Sequence, residues 1–389
     1  MKITFRNLSL TITFILTSLI INSCNNESSN ITESISSLSK SSNVRLDNST
    51  TGIWYSLWDN NGNGYLGPWQ MNISDKYIMT PDHENILAIS SAGYASNLWF
   101  GISISGYEFS SDWDNNGNGY IGAWQINSSD KFSFIQLGLP HNTLLAVSPG
   151  YWSALIQVFT NGTSEYWNNG GNGHLGSWVT NSNDKFLAAN WFQSYSNDEL
   201  LVVNYPWSAI LRFNSGNWTT IWNNNGNGKL GNWTVNLNDQ YVIDDFDGDG
   251  LPELLCIATN GTYSSLLEFN GASWITTWTN GGNNYIGSWQ KATNDKYSSG
   301  NFDNFGEQEM FLSANATSHF AALQEFSGSA WALKWSNNGS GYIDDWQISS
   351  GDKFMEYYFS YYLDNRKYIL CLNSTWAALK RLSSMNSDQ

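Results

Sequence analysis

The sequence predicts an all-β fold: a six-bladed β-propeller of four-stranded antiparallel blades, closed by pairing of the N- and C-terminal strands. Three observations lead to this prediction. The chain combines 21 tryptophans and 34 glycines with about 50 asparagines, which joins strand-forming aromatic residues to turn-forming residues. One motif recurs six times, and each end of the chain holds an incomplete part of the same repeat. Runs of good helix formers are missing, which argues against helical arrays of similar period.

Each copy of the motif places an Asn/Gly segment between two tryptophans. The copies are WDNNGNGYLGPWQ (58–70), WDNNGNGYIGAWQ (113–125), WNNGGNGHLGSWV (167–179), WNNNGNGKLGNWT (222–234), WTNGGNNYIGSWQ (278–290) and WSNNGSGYIDDWQ (335–347). Their leading tryptophans follow one another at intervals of 54 to 57 residues, a period typical of propeller blades and similar arrays.

Each repeat contains four predicted strands. One ends at the leading tryptophan, as in residues 218–222, where alternate residues share one face. The Asn/Gly segment is predicted to be a tight hairpin turn into the next strand, which carries the second tryptophan and runs into an Asp-Lys pair or its equivalent. A short apolar run and an amphipathic run complete the set, as in residues 254–258 and 264–269.

The aspartate of this pair recurs in every repeat. Its six copies are Asp75, Asp130, Asp184, Asp239, Asp295 and Asp352. A residue needed once for chemistry would not recur six times, so we expect it to hydrogen bond a turn within each blade. The paired tryptophans, such as Trp58 and Trp69, are likewise interpreted as structural.

The two ends of the repeat array predict ring closure. The first repeat begins at the strand that carries Trp54 and Trp58, and the last ends after Leu382. A strand contributed by the other end of the chain would complete one blade and remove exposed sheet edges. We therefore expect residues 54–58 to pair beside residues 377–382.

Charge and composition exclude several classes of function. Only 13% of the residues are charged, and the net charge of −16 lacks the clustered Lys and Arg that nucleic acid or anionic lipid requires. The hydrophobic fraction of 41% is enough for a packed core. Three cysteines are too few for a disulfide scaffold, and Cys256 and Cys371, which lie in apolar runs, are expected to be buried thiols.

The N-terminus has the features of an export signal. Residues 1–23 combine Lys2 and Arg6 with an apolar stretch too short for a membrane span, and they end before Cys24. The segment resembles a bacterial lipobox, which implies a lipid anchor on Cys24; ordinary secretion is the alternative. Residues 24–50 are rich in Ser and Asn and are predicted to be a tether. We expect an exported protein that is lipid-anchored to a bacterial cell membrane, at the outer membrane or cell surface.

The fourth repeat contains a dense acidic loop. Carboxylates occupy positions 245, 247, 249 and 253 of the segment DDFDGDGLPELL (244–255), with a glycine after the third. Alternate oxygens around a tight turn suit a hard cation such as Ca²⁺, and these carboxylates would otherwise repel one another. The sequence therefore predicts one structural calcium site.

This loop resembles those of the FG-GAP or VCBS repeat family, the integrin-α-like propellers, in which DxDxDGxxE/D loops between strands hold calcium. The resemblance extends as a blade plan over residues 54–382, but the full motif occurs once. It implies the ion ligands Asp245, Asp247, Asp249, the backbone carbonyl of Leu251, and Glu253.

Other loops depart from the calcium pattern. Repeat five has Phe305 where the third carboxylate should stand, and the remaining repeats have lost most of the spacing. The Asp-x-Asn-x-Asn-Gly start of the Asn/Gly segment, as at Asp59, faintly resembles an EF-hand loop. Its first position is not always acidic and no closing carboxylate recurs, so we favour a tight turn over an ion site.

No catalytic constellation is recognisable. The chain has four histidines, His83, His141, His174 and His319, without the spacing of a zinc site, and it has no nucleophile elbow or P-loop. We therefore expect a protein that is not an enzyme. Sequence alone does not test the paired carboxylates of glycoside hydrolysis, so a polysaccharide-active enzyme stays as the weaker alternative.

A possible ligand-binding set lies just before the amphipathic strand. Five of the six copies are aromatic at this position, and the first has Ala95. The aromatic residues are Trp152, Trp207, Tyr263, Phe320 and Trp376. Such rings, flanked by Asn and Ser, could stack on sugar faces; packing between neighbouring blades is the alternative.

These features lead to three functional hypotheses. The favoured one is an exported, monomeric binding module that recognises glycans or protein partners at the cell surface through repeated weak sites. The second is a structural or adhesion platform without small-ligand binding. The third is the polysaccharide-active enzyme.

Overall fold

The computed structural model describes residues 54–103, 106–192, 197–259, 261–302, 310–359 and 366–382. Within these ranges the chain forms strands, turns and loops and contains no helix. A search of the same ranges finds no helix with the length and apolar character of a membrane span. The predicted signal peptide (1–23), Cys24 and the tether (24–50) lie outside the described residues.

Six four-stranded antiparallel sheets form the blades of a β-propeller, as predicted. Counted from the centre of the ring, the first strands are Lys76–Met79, Lys131–Ile135, Lys185–Ala189, Gln240–Asp244, Lys296–Gly300 and Lys353–Phe359. The second strands are Asn85–Ile89, Asn142–Val147, Glu199–Asn204, Glu253–Ile257, Met310–Asn315 and Arg366–Leu372. The third strands are Ala95–Ser103, Ser153–Phe159, Trp207–Asn214, Ser264–Phe269, Phe320–Phe326 and Ala377–Leu382. The fourth strands are Gly106–Asp114, Gly162–Asn168, Asn217–Asn223, Trp274–Thr279, Trp331–Ser336 and Trp54–Asp59. Blades are numbered 1 to 6 in this order.

The hydrophobic core lies between neighbouring blades. In blade 4, Leu254 packs in a cluster with Leu201 of blade 3, whereas Leu255 packs in a cluster with Phe311 of blade 5. Successive residues of a strand point to opposite faces, so each second strand serves two interfaces at once. This double burial explains why these strands are continuous apolar runs. Burial of each Leu side chain stabilises the fold by roughly 1.5–3 kcal/mol.

Blade 6 is closed by both ends of the array, which confirms the predicted closure. Its fourth strand, Trp54–Asp59, pairs antiparallel with its third strand, Ala377–Leu382. The register places Trp54 opposite Leu382 and Trp58 opposite Leu379. The Trp54 ring also meets Trp335 of blade 5 edge-to-face, with ring centroids 5.6 Å apart. The third strand of blade 6 therefore has a hydrogen-bonded partner on its outer side, contributed by the other end of the repeat array.

One prediction about the repeat was wrong. The strand around the second tryptophan of each motif does not belong to a blade, but forms a separate two-stranded hairpin with the residues before it. The hairpins are Tyr65–Leu66 with Trp69–Gln70, Tyr120–Ile121 with Trp124–Gln125, His174–Leu175 with Trp178–Val179, Lys229–Leu230 with Trp233–Thr234, Tyr285–Ile286 with Trp289–Gln290, and Tyr342–Ile343 with Trp346–Gln347. The physical reason is the gap between diverging blades: Leu66 and Trp69 are buried in the cluster between blades 6 and 1.

The recurring aspartate anchors each hairpin to the start of a blade. In blade 2, Asp130 is 1% exposed, and its Oδ2 accepts bonds from the Trp124 indole N–H and the Asn127 backbone N–H, both at 2.9 Å. The same indole bond recurs between Trp69 and Asp75, Trp178 and Asp184, Trp233 and Asp239, Trp289 and Asp295, and Trp346 and Asp352, at 2.8 to 3.0 Å. The geometry agrees with the expected structural role.

The lysine after this aspartate links neighbouring blades. Lys76 of blade 1 donates through Nζ to the backbone carbonyl of Asp130, at the start of blade 2. The equivalent bonds run from Lys131 to Asp184, from Lys185 to Asp239 and from Lys353 to Asp75. Burial lowers the pKa of these four lysines, although the neighbouring aspartates oppose the shift. Charged bonds of this kind fix the spacing of the first strands.

We expect Asp130→Ala to lower the free energy of unfolding by about 3 kcal/mol, because two buried N–H groups lose their acceptor at about 1–3 kcal/mol each. Chemical denaturation followed by tryptophan fluorescence measures the loss. Asp130→Asn, which keeps one acceptor oxygen, is the matched control and should cost less. An equal cost for both variants would contradict the proposed bonding.

Candidate functional site

One face of the ring carries six half-exposed aromatic rings, each at the junction between the second and third strands of a blade. The rings belong to Tyr94, Trp152, Trp207, Tyr263, Phe320 and Trp376, and they are between 45% and 59% exposed. We call this the aromatic face. The structure places the five predicted aromatic residues at the surface, not in the core between blades, and ligand binding by them stays a prediction.

Each ring lies on a glycine of the Asn/Gly segment that follows the fourth strand of the same blade. A Cβ added to Gly226 would lie 2.7 Å from Cζ2 of Trp207, and one added to Gly171 would lie 2.9 Å from Cζ2 of Trp152. Both glycines also have positive φ angles, of 70° and 76°. The segment therefore needs glycine here for its turn and for close approach of the ring, which leaves the outer face of the ring open.

A buried asparagine fixes the ring relative to the glycine. Asn224 is 4% exposed; its Oδ1 accepts bonds from the N–H groups of Gly226 and Ser208, and its Nδ2 donates to the carbonyl of Pro206. The same arrangement recurs at Asn60, Asn115, Asn169, Asn280 and Asn337. These oxygens already accept backbone N–H groups, which fits the tight-turn interpretation of the segment.

The sixth aromatic residue was missed in the sequence. The structure aligns Tyr94, not Ala95, with the other rings, because the Ala95 N–H bonds to Asn115 Oδ1 as the Ser153 N–H bonds to Asn169 Oδ1. Ala95 is buried, and Tyr94 covers Gly117. A Cβ on Gly117 would lie 2.4 Å from the Tyr94 ring. The loop of blade 1 thus matches the loop of blade 2 in length and register, since the Ser90 N–H bonds to the Tyr94 carbonyl as the Ser148 N–H bonds to the Trp152 carbonyl. The aromatic face therefore has six equivalent rings.

One of the six rings borders a sizeable cavity. Tyr263 and Tyr205, both more than half exposed, flank a cavity of about 730 Å³ that Trp233, Asn236 and Thr259 also line. A volume of this size is in the range of small-molecule sites. The cavity combines aromatic rings with amide and hydroxyl groups, which is a surface suited to a hydroxylated ligand.

The acidic loop lies on the opposite face, between the first and second strands of blade 4. One carboxylate oxygen each from Asp245, Asp247, Asp249 and Glu253 lies within 4.8 Å of all the others, close enough to share a metal ion. Asp245 is shaped by its own loop, since its two oxygens accept the N–H groups of Gly248 and Gly250 at 2.8 and 2.9 Å. The cluster could hold a cation of the hard, oxygen-preferring type.

Glu253 is the buried member of this cluster. Its side chain is 1% exposed; Oε2 accepts the Phe246 N–H at 2.7 Å, whereas Oε1 has no hydrogen-bond partner among the described residues. Burial, reinforced by the charge of Asp247, raises the pKa of Glu253 to about 8. The charges of Asp249 and Asp247 also add to the effect of burial in raising the pKa of Glu268. The charged neighbours that act on both glutamates are therefore aspartates.

In blade 3, the glutamate at the position equivalent to Glu253 is paired with a basic side chain. Glu199, which also begins a second strand, is fully buried, and its Oε1 accepts bonds from Arg212 Nε at 3.0 Å and Nη2 at 2.8 Å. In blade 4 the residue opposite Glu253 is Glu268. A guanidinium thus compensates the carboxylate in blade 3, whereas Glu253 of blade 4 has a second glutamate opposite it.

The structure describes the predicted Leu251 ligand and the equivalent loops of the other blades only in part. The Leu251 N–H donates to Asp249 Oδ1 at 2.8 Å, and its carbonyl stays a predicted ligand. The corresponding loop of blade 5 includes residues 303–309, which lie outside the described residues. Within the described part of the chain, the four-carboxylate group of blade 4 is the one found close enough to hold an ion.

A second charged cluster lies near the centre of the same face, and the sequence analysis did not find it. Glu356 on the first strand of blade 6 contacts His83 Nδ1 at 3.0 Å and Lys367 Nζ at 2.9 Å. Burial alone would lower the pKa of His83, but its bond to Glu356 outweighs burial and raises it. Burial would raise the pKa of Glu356, but His83 and Lys367 together lower it. His83 is far from Glu356 and Lys367 in the sequence, so no motif of fixed spacing predicts this cluster.

The two cysteines in the apolar runs are buried thiols, as predicted. Cys256 and Cys371 are free and buried, and burial raises the pKa of both thiols. Neither offers a reactive thiolate at neutral pH.

We expect the His83–Glu356 ion pair to stabilise the fold within a defined pH window. The raised pKa of His83 gives stability that is complete below its ordinary value of 6.5 and is lost as pH rises through the folded value. The lowered pKa of Glu356 gives stability that is complete above 4.5 and is lost as pH falls through the folded value.

The measurement compares the wild-type protein with His83→Gln in denaturant titrations between roughly pH 4 and pH 9. The difference should be largest between the two ordinary pKa values and should be about 1 kcal/mol or less, because a partly exposed pair is screened by solvent. A difference independent of pH would show that the pair does not carry this charge interaction.

The closed ring of six four-stranded blades defines a β-propeller. No family model and no curated protein sequence matches the chain. Among solved structures, it is similar to Raptor from Chaetomium thermophilum at 9% identity and a TM-score of 0.42, covering 87% of this chain and 29% of that one. It is similar to AofleA from Arthrobotrys oligospora at 11% identity and a TM-score of 0.46, covering 86% of each chain. It is also similar to the β-propeller domain of Cps50 (Swd1) from Myceliophteria thermophila at 8% identity and a TM-score of 0.40, covering 78% of this chain and 81% of that one.

Proposed function

We propose that the protein is an exported, lipid-anchored and non-catalytic binding module that recognises glycans at the cell surface through its aromatic face. The observation that carries the proposal is the set of six half-exposed rings, each held on a glycine with one face open. Aromatic rings of this kind stack on the apolar faces of sugars, and nearby amides bind hydroxyl groups. Acylation of Cys24 would provide the anchor.

The repeated geometry favours a multivalent ligand. Six equivalent sites on one rigid ring would each bind a sugar weakly, and a ligand that reaches several sites gains affinity from effective concentration. The cavity beside Tyr263 would be the deepest of these subsites, since Tyr205 gives it a second aromatic wall. A glycan chain displayed at high density on a surface has the matching repetition.

We expect the double variant Trp152→Ala with Trp207→Ala to lose most of the binding seen on a glycan array while it stays folded. Both rings are about half exposed, so their removal costs little core burial but takes away two stacking surfaces, worth about 0.5–1.5 kcal/mol each before avidity is counted. Array binding and circular dichroism measure the two properties.

Tyr151→Ala is the matched control, because Tyr151 is an exposed aromatic residue in the same loop as Trp152 but not one of the six rings. It should keep full binding. If the wild-type protein binds no glycan and instead captures a defined protein partner, the aromatic face would be a protein-interaction surface and the glycan proposal would be wrong.

We also propose that the acidic loop of blade 4 binds one structural Ca²⁺, with ligands from Asp245, Asp247, Asp249, the Leu251 carbonyl and Glu253. The buried, unpartnered Oε1 of Glu253 supports this assignment. The ion would neutralise the carboxylates and fix the loop, and it would leave the aromatic face unaffected because the loop lies on the other side of the ring.

We expect Ca²⁺ to raise the melting temperature of the protein and Asp247→Ala to abolish that gain. Glu268→Arg should supply the guanidinium that Arg212 provides in blade 3, and should therefore raise the melting temperature without calcium and reduce the response to it. Asp59→Ala, which removes a half-buried carboxylate at the start of an Asn/Gly segment, is the control and should keep the response. An unchanged melting temperature with Ca²⁺ or with EDTA would remove the ion from the proposal.

A further inference from the structure

A polar cavity lies between blades 1 and 2 on the acidic-loop side of the ring. Its volume is about 380 Å³, within the range of small-molecule sites. It is lined by carboxylates and amides, chiefly Asp82, Asp112, Asn85 and Asn97, and by the aromatic pair His141 and Phe159. All of its lining residues are described, and no Lys or Arg is among them. The cavity is remote from the aromatic face.

The most informative residue in this cavity is Asn97. It pairs across the third and fourth strands with Trp113, the leading tryptophan of its repeat. The residues that pair in the same way with the leading tryptophans of the other five blades are Leu155, Ile210, Leu266, Leu323 and Leu379. All five are fully buried and apolar. Blade 1 therefore has an amide where the fold otherwise buries an aliphatic side chain.

This amide is not compensated within the described protein. Asn97 is 5% exposed and its Oδ1 has no hydrogen-bond partner. A buried acceptor without a donor costs about 1–3 kcal/mol, whereas the leucine used in the other blades would cost nothing of this kind. The chain tolerates this cost at one of six equivalent positions. An uncompensated buried acceptor that lines a cavity points to a donor supplied by a ligand.

Two further acceptors line the same cavity. Asn85 pairs with Trp99, two residues along the third strand from Asn97, so the two amides are diagonal neighbours on one face of the sheet. The Oδ1 of Asn85 is also buried and without a partner. Asp112 is the bulged residue between Ser111 and Trp113, and burial raises the pKa of its carboxyl group. The cavity thus presents unpaired amide oxygens beside a carboxylate.

Asp82 is held differently from Asp112. Its Oδ1 accepts bonds from Thr80 Oγ1 at 2.5 Å and from the Glu84 N–H at 3.1 Å, and its Oδ2 accepts Asn142 Nδ2 at 3.2 Å. These are neutral donors, so its negative charge is not cancelled. The cavity therefore carries two carboxylates and neither Lys nor Arg, which favours a cationic ligand.

We propose that this cavity binds a small organic molecule through a primary ammonium group. An ammonium has three N–H donors and a positive charge, which match the Asn97 and Asn85 oxygens and the carboxylate of Asp112. The remainder of the molecule packs against His141 and Phe159, whose ring centroids are 4.4 Å apart. The proposal does not depend on glycan binding or on calcium, because it uses a different part of the ring.

The test uses phenethylamine as the probe and 2-phenylethanol as its uncharged counterpart of similar shape. Titration calorimetry and NMR of the full-length mature protein measure both affinities. We expect the amine to bind about tenfold or more tightly than the alcohol, since hydrogen bonds to a charged group are stronger than neutral ones. Asn97→Leu should abolish amine binding, and Asp112→Asn should reduce the amine to the affinity of the alcohol.

Asn97→Leu restores the residue type of the other blades, so it should fold and should melt at or above the temperature of the wild-type protein. Glu165→Gln removes an exposed carboxylate outside the cavity and should leave amine binding unchanged. Absence of amine binding to the wild-type protein, equal affinity for amine and alcohol, or amine binding that survives both Asn97→Leu and Asp112→Asn would overturn the proposal. Displacement of the amine by Ca²⁺ with loss of that effect in Asp112→Asn would identify a metal site instead and would also overturn it.

Discussion

The hydrogen bond from a hairpin indole to a buried aspartate six residues later is the interaction on which the ring depends. It joins the piece of chain that fills the gap between two blades to the first strand of the next blade, and in blade 2 it does so through Trp124 and Asp130. The adjacent lysine then bonds to the following blade. The indole–aspartate bond occurs in all six blades, and the lysine bond is found in four of them. The spacing of the blades, and with it the positions of the surface loops, therefore follows from one local geometry.

Buried carboxylates elsewhere in the ring are compensated in ways that differ from blade to blade. Arg212 bonds Glu199 in blade 3, and Lys367 and His83 bond Glu356 in blade 6. Burying a charge without such a partner is costly, so residues that lack one are candidate ligand contacts. Glu253, at the start of a second strand, and Asp112, at the bulge of a fourth strand, are the residues on which the two proposed sites rest.

Sequence alone predicted the fold to the level of blade number, strand order and closure, because the repeat period and the incomplete end repeats depend only on residue spacing. It wrongly assigned the strand at Trp69 to a blade, because a buried residue in a separate hairpin and a buried residue in a blade give the same sequence pattern. It located the acidic loop from local spacing, but not the cluster of His83 and Glu356, which are joined only by ring closure. Tyr94 was missed because aligning Leu98 with Leu155 places Ala95 opposite Trp152, whereas the strand pairing aligns Asn97 with Leu155. The role of Asn97 likewise depends on its cross-strand pairing with Trp113.

The closing strand has a consequence for the order in which the molecule can be assembled. Residues 54–59 are made first, but their partners, residues 377–382, are made last. Until the chain is complete, blade 6 lacks its outer strand and Trp54 has no buried site to enter. Contacts between such distant residues form slowly, because a long loop must close before they contribute. During synthesis the first strand of the array therefore stays unpaired until nearly the whole ring has been made, and premature release would leave an open, association-prone ring.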